Sequence, residues 1–310
     1  MNDIRIGTRG SSLALAQAGW VRRKLEERYP GIRVETITIK TKGDRFLSTP
    51  IKAIGGKGIF VKEIEEALLR KEIDLAVHSM KDLPTEIPAG LRLAAIPERE
   101  DARDALVSSN FKSLKDAPPG AKIGTGSLRR QAQILHFRPD LSVMPIRGNI
   151  DTRLKKLERG EVDALVMAAA GLKRIGCENR VSEYLSAKIC LSAVGQGALG
   201  LESREGEPLI DQVAFFHHPP TALQVLAERS FLRCLGGGCQ IPVGARAWTD
   251  NNQVRLIGMI CDVDGRRLYR GEITGSEKDA ERLGQELAER LLKDGGEEVL
   301  GSNEKGLAHG

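Results

Sequence analysis

The chain has 310 residues, enough for two or three domains with cores of their own. Apolar residues make up 41% of the sequence and charged residues 29%, a balance typical of folded globular proteins and not of disordered ones. No apolar run is long enough to span a membrane, and the first residues predict a strand and show no signal-peptide pattern. We therefore expect a cytoplasmic protein.

The first part of the chain alternates helices and strands. A helix starts near Ser11 and meets stop signals at residues 29–31, where Tyr, Pro and Gly follow one another. The β-branched run at 34–39 predicts a strand, and the glycine-rich segment 42–58 predicts a mobile loop. A further helix carries Ile64 and Leu68 on its apolar face, and a buried strand follows at 73–77.

A second part of the chain repeats this pattern. Residues 123–130 resemble residues 6–13, and residues 160–166 resemble residues 71–77, in the same order. Chance similarity of α/β units is one explanation. The other is two similar α/β lobes that face each other across a cleft, each with a mostly parallel sheet. Helices of the second lobe are expected to start near Ser127 and Asp151.

The C-terminal part changes character. A helix at 221–235 is followed by strand-like runs, turn signals and a last amphipathic helix with leucines on one stripe, which together predict a small α+β domain. We expect the tail after Gly295 to fray. The predicted domains are a first lobe (1–98 with 194–216), a second lobe (102–190) and a C-terminal domain (220–310), with the chain crossing between the lobes at 97–101 and 191–197.

The net charge of +5 is unevenly placed. Residues 121–180 carry twelve Lys and Arg against six Asp and Glu, an excess of +6, so the rest of the chain sums to −1. Nucleic acid is one partner for such a segment, but it contains only Phe137 as an aromatic besides His136, which leaves little for base stacking. Arginine also binds small carboxylates and phosphates through its planar fork, so we expect a small anion and no nucleic acid.

Helix starts offer places for such an anion. The loops before the helices at Ser11 and Ser127 present hydroxyls and backbone N–H groups, with arginines beside them. Ordinary N-capping by Ser or Thr explains either loop alone. At residues 147–153, Asp151 or Thr152 is expected to cap a helix while two arginines bring positive charge to the same end, an arrangement that an acidic ligand would stabilise.

Two further segments carry reactive side chains. Asp82 follows a predicted strand, at the sheet edge where α/β proteins place ligands, and it either organises a turn or acts as a carboxylate at a site. His78 is interpreted as a core or hinge histidine. Cys239 follows three glycines, which suit either a helix end with a small buried thiol or a thiol carried into a cleft. The five cysteines are odd in number and form no Cys-x-x-Cys pair, so we expect reduced thiols and no metal.

Taken together, four motifs resemble the porphobilinogen deaminase (hydroxymethylbilane synthase) family. They occur in the expected order over nearly the whole chain, and as an ensemble they are highly specific. Gly126 stands where family members often have Ser, and Lys52 lacks the expected sequence context, so no role is assigned to Lys52. The motifs are residues 77–84 (VHSMKDLP), 124–131 (GTGSLRRQ), 147–149 (RGN) and 237–242 (GGCQIP).

The resemblance implies a fold and an activity. The fold is two periplasmic-binding-protein-like (type II) α/β lobes with a small α+β C-terminal domain. The activity is the head-to-tail condensation of four porphobilinogen molecules, with release of ammonia, to a linear tetrapyrrole of heme biosynthesis, in an enzyme expected to be a monomer. The alternative is a non-catalytic, two-lobed protein that binds a small anion.

The resemblance also implies roles for individual residues. Cys239 would carry a covalent dipyrromethane cofactor through a thioether, and Asp82 would be the catalytic carboxylate. Each pyrrole ring carries two carboxylates, so the growing product needs many cationic and hydroxyl donors. Those expected at the cofactor are Lys81, Thr125, Ser127, Arg129, Arg130 and Arg147, and those expected at the substrate are Arg9, Ser11, Lys57, Arg153 and Arg174.

Overall fold

The first helix shows how local sequence sets the element boundaries. Ser11 is its N-cap, and its side-chain oxygen accepts a hydrogen bond from the Ala14 backbone N–H at 3.3 Å. The helix ends at Arg28, because Pro30 cannot continue it and Gly31 adopts a φ of 89°. The sequence prediction for this helix is therefore confirmed at both ends.

The protein is seen here as a computed structural model that describes residues 3–45, 58, 60–237 and 241–301. None of the helices in these ranges is long and apolar enough to cross a membrane. The helices are α1 Ser12–Arg28, α2 Lys42–Arg45, α3 Lys62–Leu69, α4 Leu128–Phe137, α5 Ile150–Glu158, α6 Ala169–Arg174, α7 Leu209–Val213, α8 Pro219–Cys234 and α9 Ala280–Leu291. The strands are β1 Asp3–Thr8, β2 Arg33–Thr38, β3 Leu75–Ser79, β4 Leu91–Ala95, β5 Asp104–Ser108, β6 Lys122–Thr125, β7 Ser142–Pro145, β8 Ala164–Ala168, β9 Glu183–Leu185, β10 Leu199–Arg204, β11 Val243–Asp250, β12 Gln253–Cys261 and β13 Leu268–Ser276.

The chain forms two compact units. The first comprises Met1–Glu100 and Ala198–Ala222, and its sheet has the order β2-β1-β3-β10-β4. Strands β1 and β3 are each buried at four residues, and α1 packs against them with Val21 and Leu25 fully buried. Helix α3 covers another part of the same sheet through Ile64 and Leu68.

The second unit comprises Asp101–Gly197 and Leu223–Gly310. One of its sheets has the order β7-β6-β8-β5-β9, which matches the first unit strand for strand. In both sheets the first three strands in this order run parallel, each followed by a helix or a loop at the same edge. The predicted repeat of two α/β units is therefore confirmed, and so is the predicted fold class, while the predicted domain boundaries stay a prediction.

The expectation of mostly parallel sheets is confirmed, with one strand of each sheet as the exception. Strand β10 runs antiparallel to both β3 and β4, and β5 runs antiparallel to both β8 and β9. Each of these two strands begins just after the chain passes from one unit to the other. A strand that enters a sheet from the other unit is not constrained by the local crossover that keeps β1 and β3 parallel.

The C-terminal sheet, β11-β12-β13, is antiparallel throughout and belongs to the second unit. Helices α8 and α9 contribute the apolar side chains of its core, with Phe231 and Leu287 fully buried. Gly258 of β12 faces this core, where an added Cβ would lie 2.6 Å from the Phe231 ring. The α+β domain predicted at 220–310 thus has the expected strands and helices in its described residues.

One prediction for this region is wrong. The chain does not fray after Gly295, since helical structure continues to residue 301. Gly295 adopts a φ of 119° and bends the helix, and Val299 beyond it is fully buried in the core formed with α9. Little in the sequence indicates this, because the segment is short and mostly polar. Val299 and the partly buried Leu300 hold it against the core.

Candidate active site

An open pocket lies in the first unit, at the carboxyl ends of β1 and β3. It contains about 420 Å³ of empty space, part of it open to solvent. Arg9 and Ser11, which follow β1, and Asp82, which follows β3, all line this pocket. Loops at the carboxyl ends of neighbouring parallel strands are where open α/β sheets place ligands.

Asp82 is held in the pocket wall by the turn that follows β3. Its backbone N–H donates to the Ser79 carbonyl at 2.9 Å, and the N–H of Met80 donates to the Ala198 carbonyl at 3.0 Å. Met80 is buried, so the turn is anchored from below, while Asp82 is half-buried and lines the pocket. Lys81 is half-buried next to it but does not line the pocket.

Arg9, which follows β1, also lines the pocket and is already paired with a carboxylate. Its guanidinium binds Asp44 through Nη2 at 2.5 Å and Nε at 3.1 Å, and it lies over the Phe60 ring at 4.2 Å. Burial raises the pKa of Asp44, but hydrogen bonds from Arg9 and Thr41 outweigh that effect and lower it overall. Arg9 is thereby oriented by a carboxylate that partly neutralises it.

The second unit places Ser127 at the N-cap of α4. Its side-chain oxygen accepts from the Arg130 backbone N–H at 3.4 Å, and the Thr125 hydroxyl oxygen accepts from the Ser127 N–H at 3.3 Å. Thr125 is buried. The ordinary capping explanation for both serine loops is therefore correct as far as the helices are concerned, and both helix starts keep further N–H groups for a ligand.

Arg129 and Arg130 form a buried network around Asp104 of β5. Arg129 Nη1 lies 2.7 Å from Asp104 Oδ2, and Arg130 Nη2 lies 2.8 Å from Oδ1. Burial opposes ionisation of Asp104, but the charges and hydrogen bonds of the two arginines hold its pKa well below the ordinary range. Gln196 also donates to Asp104, at 2.9 Å. These arginines therefore stabilise the second unit through Asp104, whatever they contribute to a ligand.

Arg153 has a different environment. Its Nε donates to the Gly148 carbonyl at 2.8 Å, and among the residues that the structure describes no carboxylate pairs with it. Burial, followed by the positive charges of Arg130 and Arg147, lowers the pKa of Arg153 to about 10. Like charges brought together at a partly buried position destabilise one another unless an anion joins them. The structure thus brings Arg130, Arg147 and Arg153 into one cluster that favours a carboxylate ligand.

The remaining predicted residues are dispersed. Arg174 donates from Nη2 to the Gly197 carbonyl at 2.7 Å. Helix α5 is capped by Asn149, which accepts from the Thr152 N–H at 2.9 Å, so the prediction that Asp151 or Thr152 provides the cap is wrong. An N-cap residue precedes the first turn of its helix, whereas Thr152 lies within that turn. The Thr152 hydroxyl donates a hydrogen bond to the side chain of Asn149. Cys239, Lys57 and Lys52 lie outside the described residues.

Sequence reasoning missed several buried acidic groups. Asp104 lies in an otherwise apolar strand, a signal that could have predicted a cationic partner such as the paired arginines of α4. Glu202 is likewise buried within the apolar run of β10, where its Oε2 lies 2.9 Å from Nε2 of the buried His78. Glu65 lies on the buried face of α3, and burial, with the charge of Glu202 next, raises its pKa to about 7.

These features define an α/β protein with positions for charged ligand groups in each of its two units. In the first unit, Arg9, Ser11 and Asp82 line one pocket. In the second unit, the cluster of arginines includes Arg130 of the helix that Ser127 caps. Two models of known protein families match the chain. The model "Porphobilinogen deaminase, dipyromethane cofactor binding domain" matches residues 4–212, and "Porphobilinogen deaminase, C-terminal domain" matches residues 222–293.

Curated relatives agree with these matches. Porphobilinogen deaminase of Pelobacter propionicus is 54% identical over 301 residues, which cover 96% of this chain and 96% of that protein. The Geobacter sulfurreducens protein of the same name is 54% identical over 301 residues, covering 97% of this chain and 94% of that protein. The chain belongs to the porphobilinogen deaminase family. This supports the predicted enzyme and not the alternative of a non-catalytic anion-binding protein.

The chain is also similar to solved structures, among them a lipoprotein of Bacillus subtilis, at 16% identity and a TM-score of 0.42, covering 70% of this chain and 90% of that one. The aliphatic sulphonate binding protein of Escherichia coli covers 76% of this chain and 71% of its own, at 16% identity and a TM-score of 0.40.

Proposed function

We propose that this chain joins four porphobilinogen molecules head to tail into hydroxymethylbilane, using Asp82 as the catalytic carboxylate and Cys239 as the attachment point of the cofactor. The chain is a transferase of tetrapyrrole and heme biosynthesis, and each addition releases ammonia. One observation carries the assignment: the 54% identity to a porphobilinogen deaminase extends over 96% of both chains.

The cofactor of this family is dipyrromethane, and the residues present fit it. Its acidic side chains match Arg130 and Arg147, whose positive charges, together with burial, lower the pKa of the neighbouring Arg153 to about 10, and an anion would relieve that repulsion. Thr125 and Ser127 add hydroxyls at the start of α4. When bound, the cofactor supplies the pyrrole carbon to which the first porphobilinogen is joined. Lys81, Arg129, Arg147 and Arg130 complete the set that we assign to the cofactor.

Asp82 acts on the substrate from the pocket wall. Loss of ammonia from porphobilinogen leaves a cationic ring system, and a carboxylate fixed in the wall of a pocket stabilises such a cation more than bulk water does. Arg9 and Ser11 in the same pocket, with Lys57, Arg153 and Arg174, are assigned to the carboxylates of the substrate. Because Arg9 is held by Asp44, the substrate meets a guanidinium that is already oriented.

We also propose that the enzyme works as a monomer in the cytoplasm and needs no nucleic acid or membrane. An odd number of cysteines without a Cys-x-x-Cys pair supports a reducing compartment. Light scattering of the active enzyme tests the monomer, since a mass that is twice that of the chain would contradict it.

Intact-protein mass spectrometry tests the cofactor assignment. The purified enzyme should exceed the sequence mass by two linked pyrrole units, located on the peptide that contains Cys239, and Cys239→Ala should lack the addition. Asp82→Asn should keep the added mass and lose most of its porphobilinogen consumption, since general acid–base and electrostatic groups contribute on the order of a hundredfold or more. Unmodified mass in fully active enzyme would contradict the role of Cys239, and near-normal turnover would contradict that of Asp82.

A further inference from the structure

A buried histidine forms part of the wall of the Asp82 pocket. His78 lines the pocket although its side chain is almost completely buried, and its Nε2 lies 2.9 Å from Glu202 Oε2. Within the described part of the chain, no group bonds to the other ring nitrogen, Nδ1. A carboxylate at Glu202 accepts from Nε2–H, and the ring then keeps Nδ1 unprotonated as an acceptor. Glu202 therefore fixes both the orientation and the tautomer of the ring.

The charges beneath the pocket favour a cation at this position. Glu202 is fully buried, and one of its oxygens, Oε1, has no partner among the described residues; the same is true of Glu65 Oε1. Glu65 interacts electrostatically with both Glu202 and His78. Arg9, the arginine that lines the pocket, already binds Asp44. The wall formed by Asp82 and His78, with Glu202 behind it, is therefore better suited to a positive group than to a carboxylate.

We propose that His78, oriented by Glu202, contacts the substrate by accepting a hydrogen bond from the aminomethyl ammonium group of porphobilinogen at Nδ1, next to Asp82. This inference rests on the proposed function. It gives the pocket two ends: an ammonium end formed by His78 and Asp82, and a carboxylate end formed by Arg9 and Ser11. Glu202 is a positioning residue, since it acts on the substrate only through the imidazole.

Steady-state kinetics of His78→Gln test the contact. The glutamine amide can still donate to Glu202, so the buried bond is retained while the Nδ1 acceptor is lost. A hydrogen bond to a charged group contributes about 1.5–3 kcal/mol, so kcat/KM for porphobilinogen should fall by about tenfold or more, mainly through KM. The matched control is His136→Gln, which removes a histidine bonded to the Gly265 carbonyl at 2.8 Å, outside this pocket, and should leave KM unchanged.

Three measurements make the result decisive. The thermal unfolding midpoint and the intact mass establish that His78→Gln is folded and carries the cofactor. Nitrogen-15 NMR of histidine-labelled wild-type enzyme, assigned with single His→Gln variants at the other four histidines, should show His78 protonated at Nε2 and not at Nδ1. A kcat/KM within twofold of wild type, or a proton on Nδ1 in the resting enzyme, would overturn the proposal. Wild-type enzyme that consumes no porphobilinogen would instead contradict the proposed function.

Discussion

Glu65 makes the stability of the first unit depend on pH. It is 8% exposed, and burial followed by the negative charge of Glu202 raises its pKa from the ordinary 4.5 to about 7. His78 acts in the opposite direction, and Glu66 on the same helix adds a smaller repulsion. The folded protein therefore holds this proton more tightly than the unfolded chain does. The resulting stabilisation is complete below pH 4.5, declines between pH 4.5 and 7, and is lost above pH 7.

Replacing Glu65 with glutamine should remove this dependence, because the amide cannot ionise. At about 1.4 kcal/mol for each factor of ten in proton affinity, the shift corresponds to about 3 kcal/mol over the full range and to about 2.5 kcal/mol between pH 5 and pH 8. Relative to wild type, Glu65→Gln should thus gain about 2.5 kcal/mol in free energy of unfolding as the pH rises from 5 to 8. Any constant effect of the substitution on packing cancels in this difference.

Urea unfolding of both proteins at pH 5 and pH 8 measures the effect, with Glu27→Gln on the exposed face of α1 as the matched control. The control should show the same difference from wild type at both pH values. If Glu65→Gln behaves like the control, Glu65 is ionised in the folded protein throughout this range. The buried acidic cluster with Glu202 would then not hold a proton, and the reasoning from its burial would be refuted.

Three other substitutions test the packing described above, each by urea unfolding. Asp104→Asn should destabilise the protein by about 3 kcal/mol or more, because two buried guanidinium groups lose their carboxylate, whereas Asp140→Asn at an exposed pair should change little. Gly284→Ala should cost about 1–3 kcal/mol, since the added Cβ would lie 2.8 Å from a backbone nitrogen of α8, while Gly301→Ala meets open space. Val299→Ala should cost about 2 kcal/mol if the chain beyond the bend is packed as described, and nothing measurable if it frays.

Local signals predicted much of the fold. Ser11 and Ser127 cap the helices that follow them, and Pro30 and Gly31 end α1, because capping and helix termination depend on residues a few positions apart. Strand direction was not predictable in the same way. Strand β5 is a short apolar run, and such a run fits a sheet in either direction until the rest of the sheet is known.

The same difference between nearby and distant residues applies to the candidate site. The motifs predicted which arginines and hydroxyls lie at helix starts, and the structure brings Arg130, Arg147 and Arg153 together as those positions suggest. It was not predictable that Arg129 and Arg130 share one buried carboxylate, or that Glu202 pairs with His78. These pairings join residues that are distant in the sequence, and only the strand order of each sheet makes them neighbours.

Charge balance within each unit suggests how porphobilinogen is recognised. In the first unit the pocket arginine is paired with Asp44, and buried acids lie behind His78, so the pocket attracts a cation beside Asp82. In the second unit Arg153 has cationic neighbours and no carboxylate among the described residues, so an anion is stabilised there. Porphobilinogen carries one ammonium group and two carboxylates, and its ammonium group is the part that the Asp82 side of the first unit's pocket suits. Substitutions that reduce charge in the second unit should therefore weaken binding of carboxylates more strongly at low salt, whereas His78→Gln should act through the ammonium group alone.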